Sequence, residues 1–252
     1  MDGTAFDRLR VVLVAPRNPL NIGAAARAMS NFGCADLRLV NPYDPSFREA
    51  RSAVGAASLL ASAQVYATVA EAVADCALIV GTTAVGAREV LHPLHSLPQA
   101  APMLCAAMQS TRAALLFGSE KTGLTKAELS HCHWLLRIPT QSANYSMNLG
   151  QAVAVCLYAL ATVESPLPSP NSLATPHTPQ VRPCSNTTPE ESERLLAVLM
   201  DVVHHSQTRR VQSDARYAEH LRRLLLRLNP GRRDTQILMG ILRRVLWRLQ
   251  EK

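Results

Sequence analysis

The sequence predicts an α/β protein in which helices flank a parallel sheet, followed by a small helical domain. Three observations predict this class. Short apolar runs recur between residues 9 and 138 and alternate with helical segments, a pattern typical of strands buried on both faces. A stretch with seven prolines follows at residues 165–189, and amphipathic helical segments fill the rest of the chain. We therefore divide the chain into a domain at 1–164, a linker at 165–188 and a helical extension at 189–252.

The elements of the first domain follow in chain order. The run LRVVLVA at residues 9–15 is the first strand, and the alanine-rich segment 21–31 is the first helix, with Asn21 as its N-cap. Further strands are predicted at 36–41, 77–81, 113–118 and 134–138. Further helices are predicted at 46–55, 68–76, 98–110, 125–132 and 148–163, and a long loop at 82–97.

The extension begins with a helix start signal. Thr188, Pro189 and Glu191 match a capping box with proline at the first helical position. Three helices are predicted near 189–206, 213–228 and 234–250.

Charge is concentrated in the extension. The net charge is +7, and residues 1–165 hold 12 basic against 11 acidic side chains, whereas residues 190–252 hold 13 against 8. The imbalance predicts a polyanion as partner, and a solvated arginine-rich face is the alternative. The arginines that cluster here and would bind phosphate are Arg209, Arg210, Arg216, Arg222, Arg223, Arg227, Arg232 and Arg233.

Cysteines and targeting signals indicate a cytoplasmic protein. The six cysteines include no Cys-x-x-Cys pair, which fits a reducing compartment. His131, Cys132 and His133 are consecutive and cannot all converge on one ion, so no metal is expected. We see neither a signal peptide nor an apolar run of membrane-spanning length.

Three segments that follow predicted strands carry the chemistry. Residues 21–27 (NIGAAAR) place a single arginine, Arg27, in a helix of small residues that another backbone could approach closely; a solvated arginine is the alternative. Residues 117–125 (FGSEKTGLT) place Glu120 in a glycine-containing turn, which could also be an ordinary turn. Residues 138–155 form a polar loop that runs into an apolar helix, a usual ligand site in α/β proteins.

Together the three segments resemble the trefoil-knotted SPOUT family of RNA ribose 2′-O-methyltransferases, in its TrmJ-type tRNA (cytidine/uridine-2′-O)-methyltransferase branch. The motifs NIGAAARAM, FGSEKTGL and YSMNL carry the resemblance, which covers most of residues 9–163. It implies a C-terminal trefoil knot, S-adenosylmethionine as methyl donor, no metal, and a homodimer with the active site at or near its interface. It also suggests tRNA as substrate, methylated at the first nucleotide of the anticodon loop (position 32).

The resemblance also implies the site residues. The donor would contact Thr82, Thr83, Ala84, Gly118, Ile138, Tyr145, Ser146 and Met147. The catalytic set would be Asn21, Arg27, Glu120, Ser146 and Asn148. Arg27 would orient phosphate and stabilise the developing 2′-oxyanion, since guanidinium is essentially never deprotonated. Two alternatives stay open: an rRNA 2′-O-methyltransferase of the same superfamily, and a non-catalytic RNA-binding protein that keeps the fold. Ser119 departs from the family pattern, where a basic residue is common.

Overall fold

The computed structural model describes residues 6–43, 48, 53–84, 92–141, 145–163, 187–206 and 214–250. Within these residues, parallel strands form one seven-stranded sheet in the order β3-β2-β1-β6-β4-β7-β5. The strands are β1 (Leu9–Val14), β2 (Asp36–Val40), β3 (Gln64–Tyr66), β4 (Leu78–Thr82), β5 (Leu94–Ser96), β6 (Ala113–Phe117) and β7 (Trp134–Arg137). The predicted parallel sheet is confirmed.

Helices connect and cover these strands. In the first domain they are α1 (Pro19–Asn31), α2 (Ala57–Ser62), α3 (Val69–Ala72), α4 (Leu97–Met108), α5 (Lys126–Leu129) and α6 (Leu149–Ala161). In the extension they are α7 (Pro189–His205), α8 (Asp214–Leu228) and α9 (Arg232–Gln250). No described helix is long and apolar enough to cross a membrane.

The central strands are apolar throughout because both faces of the sheet are covered. Every residue of β1 and β6 is buried, and β1 pairs with β2 on one side and β6 on the other. One face packs against α1, α2, α4 and α6 in the larger apolar cluster, where Ile22, Leu60, Leu104 and Val153 meet the strands. The other face packs against the shorter α3 and the segment around α5.

Two edge strands were not predicted. Strands β3 and β5 have three residues each, they lie at the two edges of the sheet, and none of their residues is fully buried. The segment predicted as a continuous loop at 82–97 therefore contains β5, which pairs with β7. Three half-exposed residues are too few to show a strand periodicity in the sequence.

Two local predictions were wrong. Asn21 is not the N-cap of α1: Asn18 caps the helix, its side chain accepting from the backbone N–H of Leu20, and Pro19 supplies the first helical residue. Residues 53–55, predicted as the end of a helix, lie outside any helix, and the described helix of this region is α2. The rest of the predicted helix at 46–55 lies outside the described residues, apart from residue 48.

The extension forms a small bundle of its own. The predicted capping box at Thr188 is present, with Glu191 accepting from the Thr188 N–H. Leu195 and Leu196 of α7 and Leu225 of α8 form its buried centre. The Thr187 hydroxyl bonds to the Pro230 carbonyl at 2.7 Å, so the bundle includes the last residues of the predicted linker. Residues 164–186 of the domain boundary and linker lie outside the described residues.

Candidate active site

The site is built around Glu120, which lies just beyond the end of β6. Its carboxylate accepts three hydrogen bonds from the start of α1: from the backbone N–H of Arg17 at 2.9 Å, the backbone N–H of Asn18 at 3.2 Å and the side-chain amide of Asn21 at 2.8 Å. The carboxylate thus joins the end of β6 to the segment that follows the neighbouring strand β1.

A second hydrogen bond extends this connection to α6. The Asn148 side-chain NH₂ donates to the side-chain oxygen of Asn21 at 2.8 Å. The side-chain oxygen of Asn148 accepts from the backbone N–H groups of Gly150 and Gln151. Asn148 is therefore the N-cap of α6. We call Asn21, Glu120 and Asn148 the amide–carboxylate cluster; it brings together one residue from each of the three segments that the sequence singled out.

The carboxylate determines the direction of the whole chain of bonds. Because an ionised carboxylate can only accept, Asn21 must present its NH₂ to Glu120 and its carbonyl oxygen to Asn148. Asn148 must then present its own carbonyl oxygen to the free N–H groups of α6. One orientation of both amides satisfies every partner, so the cluster is a rigid support.

The same contacts keep Glu120 ionised. Partial burial raises the pKa of Glu120, but the hydrogen bonds from Asn21, Arg17 and Asn18 outweigh it, and the net pKa lies below the ordinary carboxyl value. A carboxylate with a lowered pKa is a weak proton acceptor near neutral pH. Glu120 is therefore suited to holding the start of α1 and poorly suited to act as a general base.

Arg27 is separate from the cluster in this chain. It lies six residues after Asn21 on α1, which is about 9 Å along the helix and about 120° around it. It is exposed, whereas Ala26 and Ala28 beside it are buried. Among the described residues no side chain forms a hydrogen bond or ion pair with Arg27.

Most of the residues predicted to bind the donor lie along one edge of the sheet. Thr82, Thr83 and Ala84 follow β4, Gly118 follows β6 and Ile138 follows β7, and these three strands are neighbours. The carboxyl ends of parallel strands are the usual ligand edge of such sheets. Two of the polar groups are already used: the Thr82 hydroxyl donates to the Leu116 carbonyl, and the Thr83 N–H donates to the Leu136 carbonyl, both at 2.9 Å.

Gly118 is required by the turn that it begins. A Cβ at this position would lie 2.1 Å from the Gly123 carbonyl carbon and 2.2 Å from the Leu124 nitrogen. The turn is closed by the Gly123 N–H, which donates to the Ser119 carbonyl at 2.7 Å. The glycine therefore allows residues 118–124 to fold back and present Glu120 to α1.

The other residues predicted to bind the methyl donor come just before α6. Tyr145 is half exposed, Ser146 is exposed and Met147 is partly buried. Within the described part of the chain, the Ser146 hydroxyl has no hydrogen-bond partner. Residues 142–144 and 85–91 lie outside the described residues, and they include parts of the chain that would form the predicted knot, which stays a prediction.

The predicted RNA-binding arginines divide into two groups. Arg222 forms a two-point ion pair with Glu193 and also donates to the Ser130 hydroxyl, and Arg223 bonds to Glu219; both side chains are mostly buried. By contrast, Arg216 and Arg233 are exposed, and Arg232 is exposed while pairing with Glu191. Arg209 and Arg210 lie outside the described residues. In this arrangement the guanidinium groups of Arg222 and Arg223 bind side chains of the protein itself, and their contact with RNA stays a prediction.

The sequence contained a signal for this difference. Ala218, Arg222 and Leu225 share one face of α8, and Leu225 is buried in the centre of the bundle. Helical periodicity thus places Arg222 on the buried face. Four other exposed arginines of the extension were absent from the predicted cluster: Arg194, Arg243, Arg244 and Arg248.

His131 and His133 lie where the extension meets the sheet domain. Burial lowers the pKa of each to about 4; nearby Arg222 lowers that of His131 further, against a raising effect of Glu193. The His133 Nδ1 accepts from the Ile79 N–H at 3.1 Å, and Cys132 is fully buried. Among the described residues, no group of three His, Cys, Asp or Glu side chains could hold a metal ion.

Comparison with known proteins identifies the class. The family model of the SpoU rRNA methylases matches residues 8–158, more than half of the chain. The chain therefore belongs to the SpoU methylase family, a class of RNA methyltransferases.

Within this family, the chain is similar to proteins named TrmJ. The chain is 32% identical over 245 residues to the tRNA (cytidine/uridine-2′-O-)-methyltransferase TrmJ of Cronobacter sakazakii, covering 94% of this chain and 95% of the relative. It is equally similar to TrmJ of Salmonella typhimurium, over 243 residues and 96% of that protein. The crystal structure of TrmJ from Z. mobilis ZM4 superposes with a TM-score of 0.78 at 30% identity, covering 94% of this chain and 98% of the other. The predicted family is confirmed.

Proposed function

We propose that this enzyme transfers a methyl group from S-adenosylmethionine to the ribose 2′-hydroxyl of a cytidine or uridine in tRNA. The observation that carries the proposal is the amide–carboxylate cluster, which joins the three motif segments at the carboxyl edge of the sheet. The named activity of the TrmJ relatives, which match over nearly the full chain, supports the substrate. We further propose position 32 as the target and the cytoplasm as the location.

The residues at this edge fit the donor. Backbone groups at the ends of β4, β6 and β7 lie side by side, and Tyr145 and Ser146 are exposed just before α6. When bound, S-adenosylmethionine supplies an electrophilic methyl group on a sulfonium. The chain's own contribution is to orient the ribose hydroxyl in line with that methyl group and to stabilise its developing negative charge.

The contacts separate catalytic from positioning residues. Arg27 and Ser146 have free polar groups within the described structure, and we assign them contact with the ribose and its phosphate. Asn21, Glu120 and Asn148 were predicted as catalytic, but their hydrogen bonds connect the motif segments to one another. We therefore assign these three the positioning of α1 and α6.

Arg27 would complete the site of a second copy. It points to solvent away from the amide–carboxylate cluster, and the exposed Leu20 and Tyr158 lie on α1 and α6, the two helices that could face a partner. A homodimer in which each copy supplies Arg27 to the other would bring a cation to the cluster. This arrangement supports the homodimer that the family resemblance implies.

The basic extension would hold the RNA. Its exposed arginines are available for phosphate, and such contacts give salt-sensitive, sequence-independent affinity. We propose Arg216, Arg227, Arg232 and Arg233 of the predicted cluster, together with Arg243 and Arg244, as the phosphate-binding set.

The activity can be tested with labelled S-adenosylmethionine and bulk RNA. We expect label in tRNA, at a ribose that nucleotide mapping places in the anticodon loop. Label confined to rRNA would favour the rRNA enzyme, and no label together with RNA binding would favour a non-catalytic protein.

Arg27 provides the matching variant test. Arg27→Ala should lower kcat by about 100-fold or more, the usual loss when a group that stabilises developing charge is removed. Arg27→Lys should recover little of it, because an ammonium lacks the planar fork. Arg112→Ala is the control and should keep full activity. Arg112 is an exposed arginine just before β6, at the amino ends of the strands and so far from the candidate site at their carboxyl ends. Full turnover by Arg27→Ala would exclude a catalytic role.

A further inference from the structure

A recess lies beside the candidate active site, at the carboxyl ends of β1, β2 and β6. We call it the strand-end recess; Arg17, Asn41, Tyr43, Ser119 and Gly123 are among its lining residues. It is open to solvent and has a cavity volume of about 230 Å³. This volume is smaller than that of pockets for drug-sized ligands, and none of the site assignments above uses the recess.

Two strained residues shape the recess. Ala15 and Asn41 end the neighbouring strands β1 and β2, and both have positive φ angles, 47° and 45°. The Ala15 N–H still donates to Val40 at 2.8 Å, and the Asn41 side-chain amide donates to the Ala67 carbonyl at 2.7 Å. Non-glycine residues rarely adopt this conformation, and it concentrates at functional sites. Both residues line the recess.

One wall of the recess is a flat, exposed pair of side chains. The Arg17 guanidinium lies 5.1 Å from the centre of the Tyr43 ring, and Tyr43 is 74% exposed. Within the described residues, Arg17 has no carboxylate partner. Exposed aromatic rings and guanidinium planes are the groups on which proteins stack unpaired bases.

The recess also has free hydrogen-bonding groups, and it carries little positive charge. The side-chain oxygen of Asn41 and the hydroxyl of Ser119 have no hydrogen-bond partner among the described residues, so both could bind the polar edge of a base. Glu128 also lines the recess and accepts from the Thr125 N–H at 2.6 Å. A recess lined by one guanidinium and one carboxylate makes a poor phosphate site, and its chemistry favours a nucleobase.

The recess is physically joined to the active site. The backbone N–H of Arg17 donates to Glu120, and Ser119 immediately precedes Glu120. Strand β6 has β1 on one side and β4 on the other, so the recess and the donor edge flank the same strand. Two strand spacings are about 10 Å, which places the recess within reach of the same RNA segment.

We propose that the strand-end recess binds one unpaired nucleobase of the substrate RNA, stacked on the Arg17–Tyr43 pair with its polar edge toward Asn41 and Ser119. The proposal rests on the proposed function, in that the RNA would be the one being methylated. It adds a base-binding subsite that distinguishes an unpaired loop from a duplex, in which each base is already stacked and paired.

The test compares binding of two single strands to the full chain, oligouridylate and the same ribose–phosphate backbone without bases. Wild-type protein should bind the base-bearing strand more tightly by about 5-fold or more, the usual contribution of one stacked base. Tyr43→Leu should lose that preference, whereas Tyr43→Phe, which keeps the ring, should retain it. The affinity of Tyr43→Leu for the strand without bases should be unchanged.

Two outcomes would overturn the proposal. One is a wild-type protein that binds both strands equally; the other is a Tyr43→Leu variant that keeps the full preference. Neither measurement depends on methyl transfer, so failure of the recess and failure of the proposed activity are distinguishable. With tRNA as substrate, Tyr43→Leu should also raise KM for tRNA while leaving KM for the donor and the melting temperature unchanged.

Discussion

At the scale of residues, the central feature is a chain of side-chain hydrogen bonds with one direction. It starts at the backbone N–H groups in the first turn of α6, which have no partner within the helix, and passes through Asn148 and Asn21 to the carboxylate of Glu120. Each group in it has a defined role as donor or acceptor because the terminal carboxylate cannot donate. Segments more than 90 residues apart in sequence are thereby held in register.

Removing the middle of this chain should weaken the fold. Asn21→Ala deletes a donor to Glu120 and an acceptor for Asn148, so we expect the free energy of unfolding to fall by about 1–3 kcal/mol. Urea denaturation measures this loss. Asn31→Ala, an exposed asparagine at the other end of α1, should change stability far less. Equal effects of the two variants would show that the cluster contributes nothing to stability.

The lowered pKa of Glu120 predicts a pH dependence. Because the folded pKa lies below the ordinary value of 4.5, the stabilisation is present above that value and is lost as the pH falls through the folded pKa. In Glu120→Gln the decline of stability at acid pH should be shallower, since this group no longer titrates. Denaturation curves of both proteins between pH 7 and the acid range test this expectation, and identical slopes would contradict it.

At the scale of elements, the small residues of α1 allow α6 to approach closely. The sequence predicted a close approach by another backbone, either of the sheet or of a second subunit. The structure identifies it as α6 of the same chain: a Cβ at Gly150 would lie 2.6 Å from the Ala24 Cβ and 3.2 Å from the Ala24 carbonyl carbon. This contact sets the distance at which Asn148 reaches Asn21.

Gly150→Ala should therefore destabilise the protein although alanine favours helices. We expect the overpacking to cost about 1–3 kcal/mol and to lower activity by displacing Asn148. Gly240→Ala is the matched control: it lies in α9 with nothing within 4 Å of an added Cβ, so stability should rise slightly. Thermal unfolding of both variants distinguishes packing from propensity, and a stabilised Gly150→Ala would refute the contact.

At the scale of the whole molecule, the extension docks on the less covered face of the sheet. Arg222 of α8 joins Glu193 of α7 to Ser130 of the sheet domain, and His131 lies 3.5 Å from the same Glu193 carboxylate. Buried polar groups at this junction are satisfied only when the two parts are in contact. The geometry thus gives the exposed arginines of the extension a defined position relative to the candidate active site.

The two buried histidines should make this junction sensitive to acid. Their folded pKa values near 4 lie below the ordinary 6.5, so stability is full above pH 6.5 and falls between pH 6.5 and 4. By pH 5 the loss should be on the order of 2 kcal/mol per histidine. His131→Gln should reduce the slope of unfolding free energy against pH, whereas His220→Gln, an exposed histidine of α8, should leave it unchanged. A slope unaffected by His131→Gln would exclude this residue as the cause.

The proposed dimer can be tested by mixing two inactive variants. If Arg27 of one copy serves Ser146 of the other, dimers that combine Arg27→Ala with Ser146→Ala contain one intact site. Random mixing should then restore about a quarter of wild-type activity, because half of the dimers are mixed and each has one working site of two. Each variant alone should stay inactive. No recovery in mixtures with verified exchange would place Arg27 and Ser146 of the same copy in one site.

Local patterns in the sequence determined the five inner strands, most of the helices, the capping box at Thr188 and the three motif segments. Each depends on neighbours within a few residues, through burial, periodicity or helix-end hydrogen bonds. The resemblance of the motifs was sufficient to predict the family.

Only the tertiary structure decided which motif residues touch. The bonds of Glu120 to α1, the bond of Arg222 to Ser130 and the short edge strands all depend on partners far away in the chain. Such contacts depend on the order of strands in the sheet and on how the helices approach one another, which no local pattern encodes. For this reason we propose Asn21, Glu120 and Asn148, predicted as catalytic, as the support that holds the site.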